Sequence, residues 1–250
     1  MIGFVVQARS GSTRMPNKIL LPFYKGSSIL DLLIEKLKRV DNTDIIIATS
    51  VNPNCDAIEG VAKVHGVSCF RGSENDVLQR FIDAAEQCHV DKIIRVCSDN
   101  PFLELDSINK LVAYARNEGK ACDYISFNIN GTPSIKTHFG FWTEYVTLEA
   151  LKRVRDLTDE SLYHEHVTNY IYANPDTFEI AWLEGPAVII SHPDIRLTID
   201  TPEDFRIAQS IYADLCQDEQ SPTIINVVDY LDTHQNYYIS MKRQIEKNTK

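Results

Sequence analysis

The chain has 250 residues, 44% of them hydrophobic and 24% charged, a balance ordinary for a globular α/β chain and unlike a disordered or fibrous one. A formal charge of −10 argues against non-specific nucleic-acid binding, which is driven by phosphate neutralisation, but a small basic cluster in a cleft can still outweigh it locally. No apolar stretch approaches the roughly 18–20 residues that span a bilayer, and no basic, apolar leader opens the sequence, so a cytoplasmic protein without membrane partners is expected.

The apolar run 2–7 predicts a buried strand. It feeds the polar loop Ala8-Arg9-Ser10-Gly11-Ser12-Thr13-Arg14-Met15-Pro16-Asn17-Lys18. Gly11 allows close backbone approach, exposed N–H groups and hydroxyls donate hydrogen bonds, and Arg9, Arg14 and Lys18 neutralise charge. Such a loop can wrap a polyphosphate. Its spacing is neither the Walker loop nor the dinucleotide fingerprint.

Alternating segments follow. Helices are predicted over 28–39, 55–65, 75–88 and 106–118, and strands over 44–49, 67–70, 92–97 and 123–127. Ile29, Leu32, Leu33, Lys36 and Leu37 form the first helical stripe, with one polar interruption and Ser27 or Ser28 as cap. Repeated βα units point to a mainly parallel sheet with helices on both faces. The second half is less regular. Residues 130–146 read as loops or short antiparallel strands, 145–155 and 160–173 as helices, 178–184 and 187–191 as strands. Helices are expected near 203–216 and 226–233, with a frayed polar tail from about 242. No repeat or low-complexity linker interrupts the chain, so a single domain is expected, with 130–195 as a substrate-facing subregion. The 6 cysteines form no C-x-x-C pair, which argues against a zinc site and a disulfide framework.

Four further segments carry candidate chemistry. In Arg95-Val96-Cys97-Ser98-Asp99-Asn100-Pro101-Phe102 a strand ends in a carboxylate, where ligands of open α/β sheets bind; Asp99 and Asn100 also suit a plain turn before proline. In Ile195-Arg196-Leu197-Thr198-Ile199-Asp200-Thr201-Pro202-Glu203-Asp204-Phe205, strand alternation ends at Asp200. Glu203 and Asp204 then read as helix-start acids. In Arg71-Gly72-Ser73-Glu74-Asn75-Asp76, Ser73 is a candidate cap and Asp76 its capping-box partner. The His164-Glu165-His166 run is not the H-E-x-x-H zinc motif, and on a helix the two histidines would face apart.

Residues 8–18 resemble the A-R-x-G-S-x-R-L-P-G-K signature of sugar cytidylyltransferases, which make CMP-activated acidic sugars, and most resemble the SpsF type. Met15 stands for the usual Leu, and Asn17 for the usual Gly; Asn tolerates positive φ better than most residues. The later segments, with Phe139-Gly140-Phe141-Trp142-Thr143-Glu144 among them, resemble the family's R-G-S-x-x-D-V-L-x-R, R-x-x-x-D-x-P-[FL], G-x-x-x-E, R-E-H-V-T and L-T-x-D-T-P-E-D-[FL] blocks, across roughly residues 2–210; His164 stands where Arg is usual, and the aromatic pair Phe141-Trp142 departs from the more polar common form.

The resemblance implies a nucleotidyltransferase αβα sandwich related to GT-A glycosyltransferases. It implies transfer of CMP from CTP to an acidic sugar or sugar-like acceptor, with release of pyrophosphate, for surface polysaccharide or glycoconjugate synthesis. Arg14, Lys18, Asp99 and Asp200 would be catalytic, with Mg²⁺ held by Asp99 and Asp200. If the fold joins these two carboxylates, they form a hard oxygen site with room for phosphate and water. Ala8, Arg9, Gly11, Ser12, Arg71, Gly72 and Ser98 would hold the nucleotide, and Gly140, Glu144, Glu165 and His166 the acceptor. The roles of Gln79, Arg80 and His164 stay open. A homodimer is compatible with the resemblance. The rival readings are a glycosyltransferase using a nucleotide-sugar donor and a non-catalytic nucleotide-binding homologue.

Overall fold

In the computed structural model, which describes residues 1–118, 121–216 and 221–247, the first apolar run is strand β1 (Ile2–Gln7). Its side chains alternate between two cores: Phe4 and Val6 enter one, Val5 the other. A strand covered by helices on both faces requires this pattern. A short hairpin of β2 (Pro22–Tyr24) and β3 (Ser27–Ser28) leads into α1 (Ile29–Leu37), whose capping box joins Ser28 to Asp31. Then come β4 (Asp44–Ser50), α2 (Asp56–His65), β5 (Ser68–Gly72), α3 (Val77–Gln87), β6 (Lys92–Cys97), α4 (Leu105–Glu118) and β7 (Tyr124–Ile129). The second half holds β8 (Thr132–Pro133), β9 (Glu144–Thr147), α5 (Leu148–Leu157), α6 (Ser161–Glu165), α7 (Asn169–Ala173) and β10 (Ile180–Glu184). The chain continues through α8 (Ala187–Ile190), α9 (Pro202–Leu215), α10 (Ile224–Thr233) and α11 (Gln235–Lys247).

The main sheet runs β10-β7-β9-β6-β1-β4-β5, with β8 added to β7. β6, β1, β4 and β5 run parallel to one another, as does β10 to β7, while β9 lies antiparallel between β6 and β7. The expected mainly parallel mixed sheet is present. Helices α1, α2, α4, α9 and α10 pack on one face; α3, α5 and α7 pack on the other. No helix among the described residues is long and apolar enough to cross a membrane, and all six cysteines are free thiols.

Several expected elements differ. Residues 145–155 split between β9 and α5, because Tyr145 and Val146 complete the sheet and Thr147 caps the helix. The helix expected over 160–173 breaks into α6 and α7 around the buried Val167 and Thr168. Residues 187–191 contain the helical turn α8 instead of a strand; four apolar residues are too few to show a period. Segment 195–200 forms no strand: it lies beyond the sheet and is stapled by Leu197 and Thr198 N–H groups to the His138 carbonyl. Ser73 does not cap α3; Asp76 does, accepting from the Gln79 N–H. The tail is helical through Lys247, anchored by the buried Met241 and Gln244, and the final three residues lie outside the described part.

The polar interruption in α1 has a structural use. Lys36 is buried, and its ammonium donates to the Pro101 and Leu103 carbonyls at 3.1 and 2.6 Å. It thereby pins the turn that follows Asp99. Burial pushes its pKa from 10.5 down to about 8, against the pull of the nearby Glu104 and Cys216. Between these two values the unfolded chain binds the Lys36 proton and the folded chain does not, so its titration makes stability rise with pH. Lys36→Met should lower stability by about 1–3 kcal/mol by orphaning two carbonyls. The gap to the parent protein should widen as pH climbs from about 8 towards 10.5 in chemical denaturation.

Candidate active site

The polar loop leaves β1 under tight backbone control. The Ala8 N–H donates to the Ala48 carbonyl at 3.2 Å, and the Ser10 carbonyl accepts from Ser12 and Asn17 N–H groups, both at 3.0 Å. Ala8 is fully buried and lends its backbone alone, while Gly11 is exposed and Ser12 half-buried. Asn17 adopts φ 58°, ψ 15°, the left-handed conformation for which Asn is a fit substitute for Gly. That turn starts a 3₁₀ helix over Lys18–Leu20 and buries both Lys18 and Ile19.

Three distant segments meet on Lys18. Its ammonium donates to Asp99 Oδ2 at 2.8 Å and also to the Ile199 carbonyl, while the Ile199 N–H donates to the Asp99 carbonyl at 3.2 Å. Arg14 Nη2 reaches Asp200 Oδ1 at 2.8 Å, and Arg196 Nη2 reaches Asp200 Oδ2 at 2.8 Å. Arg14, Lys18, Asp99 and Asp200 are thus brought together. Burial opposes the Asp200 charge, but the Lys18, Arg14 and Arg196 cations prevail and hold its carboxyl below the usual range.

Arg196 and Asp204 were not legible as site residues. The Arg196 guanidinium is fully buried; it bonds Asp204 and Asp200, and Nη1 meets His138 Nδ1 at 2.8 Å. Asp204 also accepts from the Asp200 and Thr201 N–H groups, so its helix-start role doubles as a clamp on Asp200. Among the described residues no group of three or more His, Cys, Asp or Glu side chains is arranged around a metal. Asp99 and Asp200 both line the cleft that opens here, and these two carboxylates are the hard oxygen donors that would hold a divalent cation together with phosphate and water.

A cleft of about 600 Å³ opens from this junction. Arg9, Asp99, Gly140, Glu165, His166 and Asp200 all line it, together with Lys136, His138 and Trp142. Arg9 lies 3.8 Å from Glu165 across the cleft. Gly140 has φ +73°, and a Cβ there would come within 3.1–3.2 Å of the Leu197 and Thr198 backbone. It therefore serves as a close-approach point beneath the segment that carries Asp200.

Other expected residues sit elsewhere. Glu144 is 2% exposed and is enclosed by Arg95, the Tyr124 hydroxyl and Thr168 Oγ1, so its carboxylate supports the cleft from beneath instead of facing an acceptor. Arg71 is turned away, onto Asp56 at 2.7 Å and Glu59 at 2.8 Å, because the acidic first turn of α2 captures its charge. Gly72 makes room for Phe70 and Arg80, which a Cβ would meet at 2.8 and 3.0 Å. Ser98 donates from Oγ and N to the Gln7 carbonyl, tying the ends of β6 and β1 together. Arg80 is buried and donates to the Ser73 carbonyl at 2.6 Å, Gln79 to Asp83 at 2.6 Å, and His164 pairs with Asp76 at 2.9 Å.

Comparison with known proteins adds an independent line. A family model described as cytidylyltransferase matches residues 4–247. The spore coat polysaccharide biosynthesis protein SpsF of Bacillus subtilis is 34% identical, over 84% of this chain and 85% of that one. An uncharacterized protein of Methanocaldococcus jannaschii is 37% identical, over 91% of this chain and 89% of that one. A solved cytidylyltransferase from Leptospira borgpetersenii superposes with a TM-score of 0.83 at 28% identity, covering 95% of this chain and 96% of that one.

Gly140→Ala tests the junction between the two halves of the cleft. Strain in the left-handed region and the backbone clash should together cost about 1–3 kcal/mol. The melting temperature should fall by about 2–4 °C for each kcal/mol, and a crystal structure should show residues 197–200 displaced outward.

Proposed function

Because the chain belongs to the cytidylyltransferase family, whose members are CTP-dependent nucleotidyltransferases, we propose that it transfers CMP from CTP to an acidic sugar or sugar-like acceptor and releases pyrophosphate. The observation that carries this reading is the junction of a cationic loop with Asp99 and Asp200 at the mouth of a cleft. The 34% identity to the polysaccharide biosynthesis protein SpsF supports a role in making a surface polysaccharide or glycoconjugate. A relative in Shewanella piezotolerans, 25% identical over 84% of this chain, is an 8-amino-3,8-dideoxy-manno-octulosonate cytidylyltransferase, which supports an acidic sugar as acceptor.

In this mechanism an acceptor hydroxyl attacks the α-phosphorus in line. The new O–P bond forms as the bond to the α–β bridging oxygen breaks, pyrophosphate departs with that electron pair, and the hydroxyl proton passes to solvent. Arg9, Arg14 and Lys18 neutralise the triphosphate and the charge that grows on the leaving oxygen. Ala8, Gly11 and Ser12 bring the loop backbone against the phosphates. Mg²⁺ held by Asp99 and Asp200 would supply Lewis-acid stabilisation of phosphate charge. Gly140, Glu165 and His166 shape the acceptor side, so positioning and electrostatics supply most of the rate enhancement. The whole chain acts as one cytoplasmic domain, with 130–195 providing the acceptor side and a contact surface for a homodimer.

Lys18→Ala and Asp200→Ala should each lower the rate of pyrophosphate release from CTP, Mg²⁺ and acceptor by about 10²–10⁴-fold. Both should keep the far-ultraviolet circular dichroism of the parent. Near-normal turnover in either folded variant would contradict the mechanism.

A further inference from the structure

Beneath the cleft lies a buried ionic assembly that the proposed chemistry does not use directly. Arg95, 6% exposed, and Glu144, 2% exposed, form an ion pair between β6 and β9. The Tyr124 hydroxyl and Thr168 Oγ1 donate to the same carboxylate. Burying two charges is expensive, and such pairs often add little net stability, so the use of this one is sought in what it holds in place.

The outward end of the assembly supplies one. Arg95 Nη2 donates to Gln7 Oε1 at 2.9 Å. A guanidinium only donates, so the carboxamide oxygen must face it, and the orientation of the Gln7 amide is chemically fixed. Gln7 is half-buried at the end of β1 and lines the cleft beside Cys97, its partner in the β1–β6 register. No protein acceptor among the described residues receives a hydrogen bond from Gln7 Nε2. Gln7 lines the cleft, so the two N–H groups of that amide are available to a molecule bound there.

The backbone and the side chain of Gln7 lead to different parts of the site. The Gln7 backbone carbonyl is fastened by Ser98, and the residues after it leave to form the cationic loop. The side chain instead bonds Arg95 and through it reaches Glu144 and Thr168; Glu165, His166 and Asn169, close to Thr168 in the chain, line the cleft. We propose that Gln7 is a specificity-determining residue that donates its Nε2 hydrogens to an oxygen of the acceptor sugar. Arg95 and Glu144 are positioning residues that act through it. The assignment rests on the cytidylyl transfer proposed above and adds an acceptor contact to it. A donor arm held in place selects an acceptor molecule with an oxygen at that point, and it penalises one that presents a hydrogen-bond donor or an apolar group.

Gln7→Glu is the informative variant, because it keeps an oxygen on Arg95 and replaces only the donor arm with an acceptor; Gln7→Met removes both arms at similar size. Each variant is first checked for cooperative melting and for its thermal shift with CTP and Mg²⁺. Pyrophosphate release is then measured with 2-keto-3-deoxy-manno-octonic acid, its 8-amino-3,8-dideoxy form and a nonulosonic acid. The acceptor that gives the parent its highest rate serves as the probe. The expected result is an unchanged CTP shift and CTP KM, with kcat/KM for the probe lowered about ten- to a hundredfold in both variants. Parent-like kinetics for the probe, or a CTP shift lost in proportion, would overturn the assignment, the latter by moving Gln7 to the nucleotide. A parent protein that gives no CTP shift, or releases no pyrophosphate with any of these acids, would overturn the proposed reaction and the Gln7 role with it.

Discussion

The site depends on one buried ammonium. Lys18, whose side chain is 10% exposed, joins a residue of the first loop to Asp99 and to the carbonyl of Ile199. An ammonium taken out of water this far is costly unless it is paired and hydrogen-bonded, and Lys18 is both. The left-handed turn at Asn17 directs it inward, and the carboxylate at the end of β6 receives it. Once these contacts form, the loop, the end of β6 and the segment before α9 share one location. Arg14 and Arg196 then close around Asp200 from two sides.

The sheet explains why the rest of the cleft stands beside that junction. β9 enters antiparallel between β6 and β7, and so interrupts the parallel order next to the strand that carries Asp99. The chain before it, through Lys136, His138 and Gly140, passes over the ends of the parallel strands. The chain after it returns through α6 with Glu165 and His166. Gly140 and the His138 carbonyl hold the two halves together through residues 197 and 198. Loop chemistry and cleft shape are therefore coupled through backbone contacts as well as through charge.

The parts that were legible in the sequence share a physical reason. β1 and β4 contain continuous apolar runs, β6 one broken by Arg95, and the helices between them carry 3.6-residue stripes, so local pattern and tertiary burial agree. The charged loop and Asp99 lie just beyond strands, where charge cannot be explained by core packing. What was hidden depends on partners remote in sequence. Arg196 sits among apolar residues, and nothing nearby in sequence announces that it clamps Asp200. Glu144 resembles a site acid, yet it is enclosed by Arg95, Tyr124 and Thr168, each from another part of the chain. Arg71 stands at a strand end as anticipated, but the acids of α2 turn it away from the cleft. β9 has only four residues, too few for its alternation to stand out from the helix that follows.

The central claim is that the Lys18 junction receives the triphosphate of CTP. The most direct measurement is the thermal shift of the purified protein with Mg²⁺ and each of CTP, UTP, GTP, ATP and UDP-glucose, for the parent and for Lys18→Ala. A ligand that binds only the folded state at a hundredfold excess over its Kd adds about 2.7 kcal/mol. The account predicts a Mg²⁺-dependent shift of that size for CTP above the other nucleotides, and its loss in Lys18→Ala. A larger shift with UDP-glucose, no shift with any triphosphate, or a CTP shift that survives Lys18→Ala would contradict it.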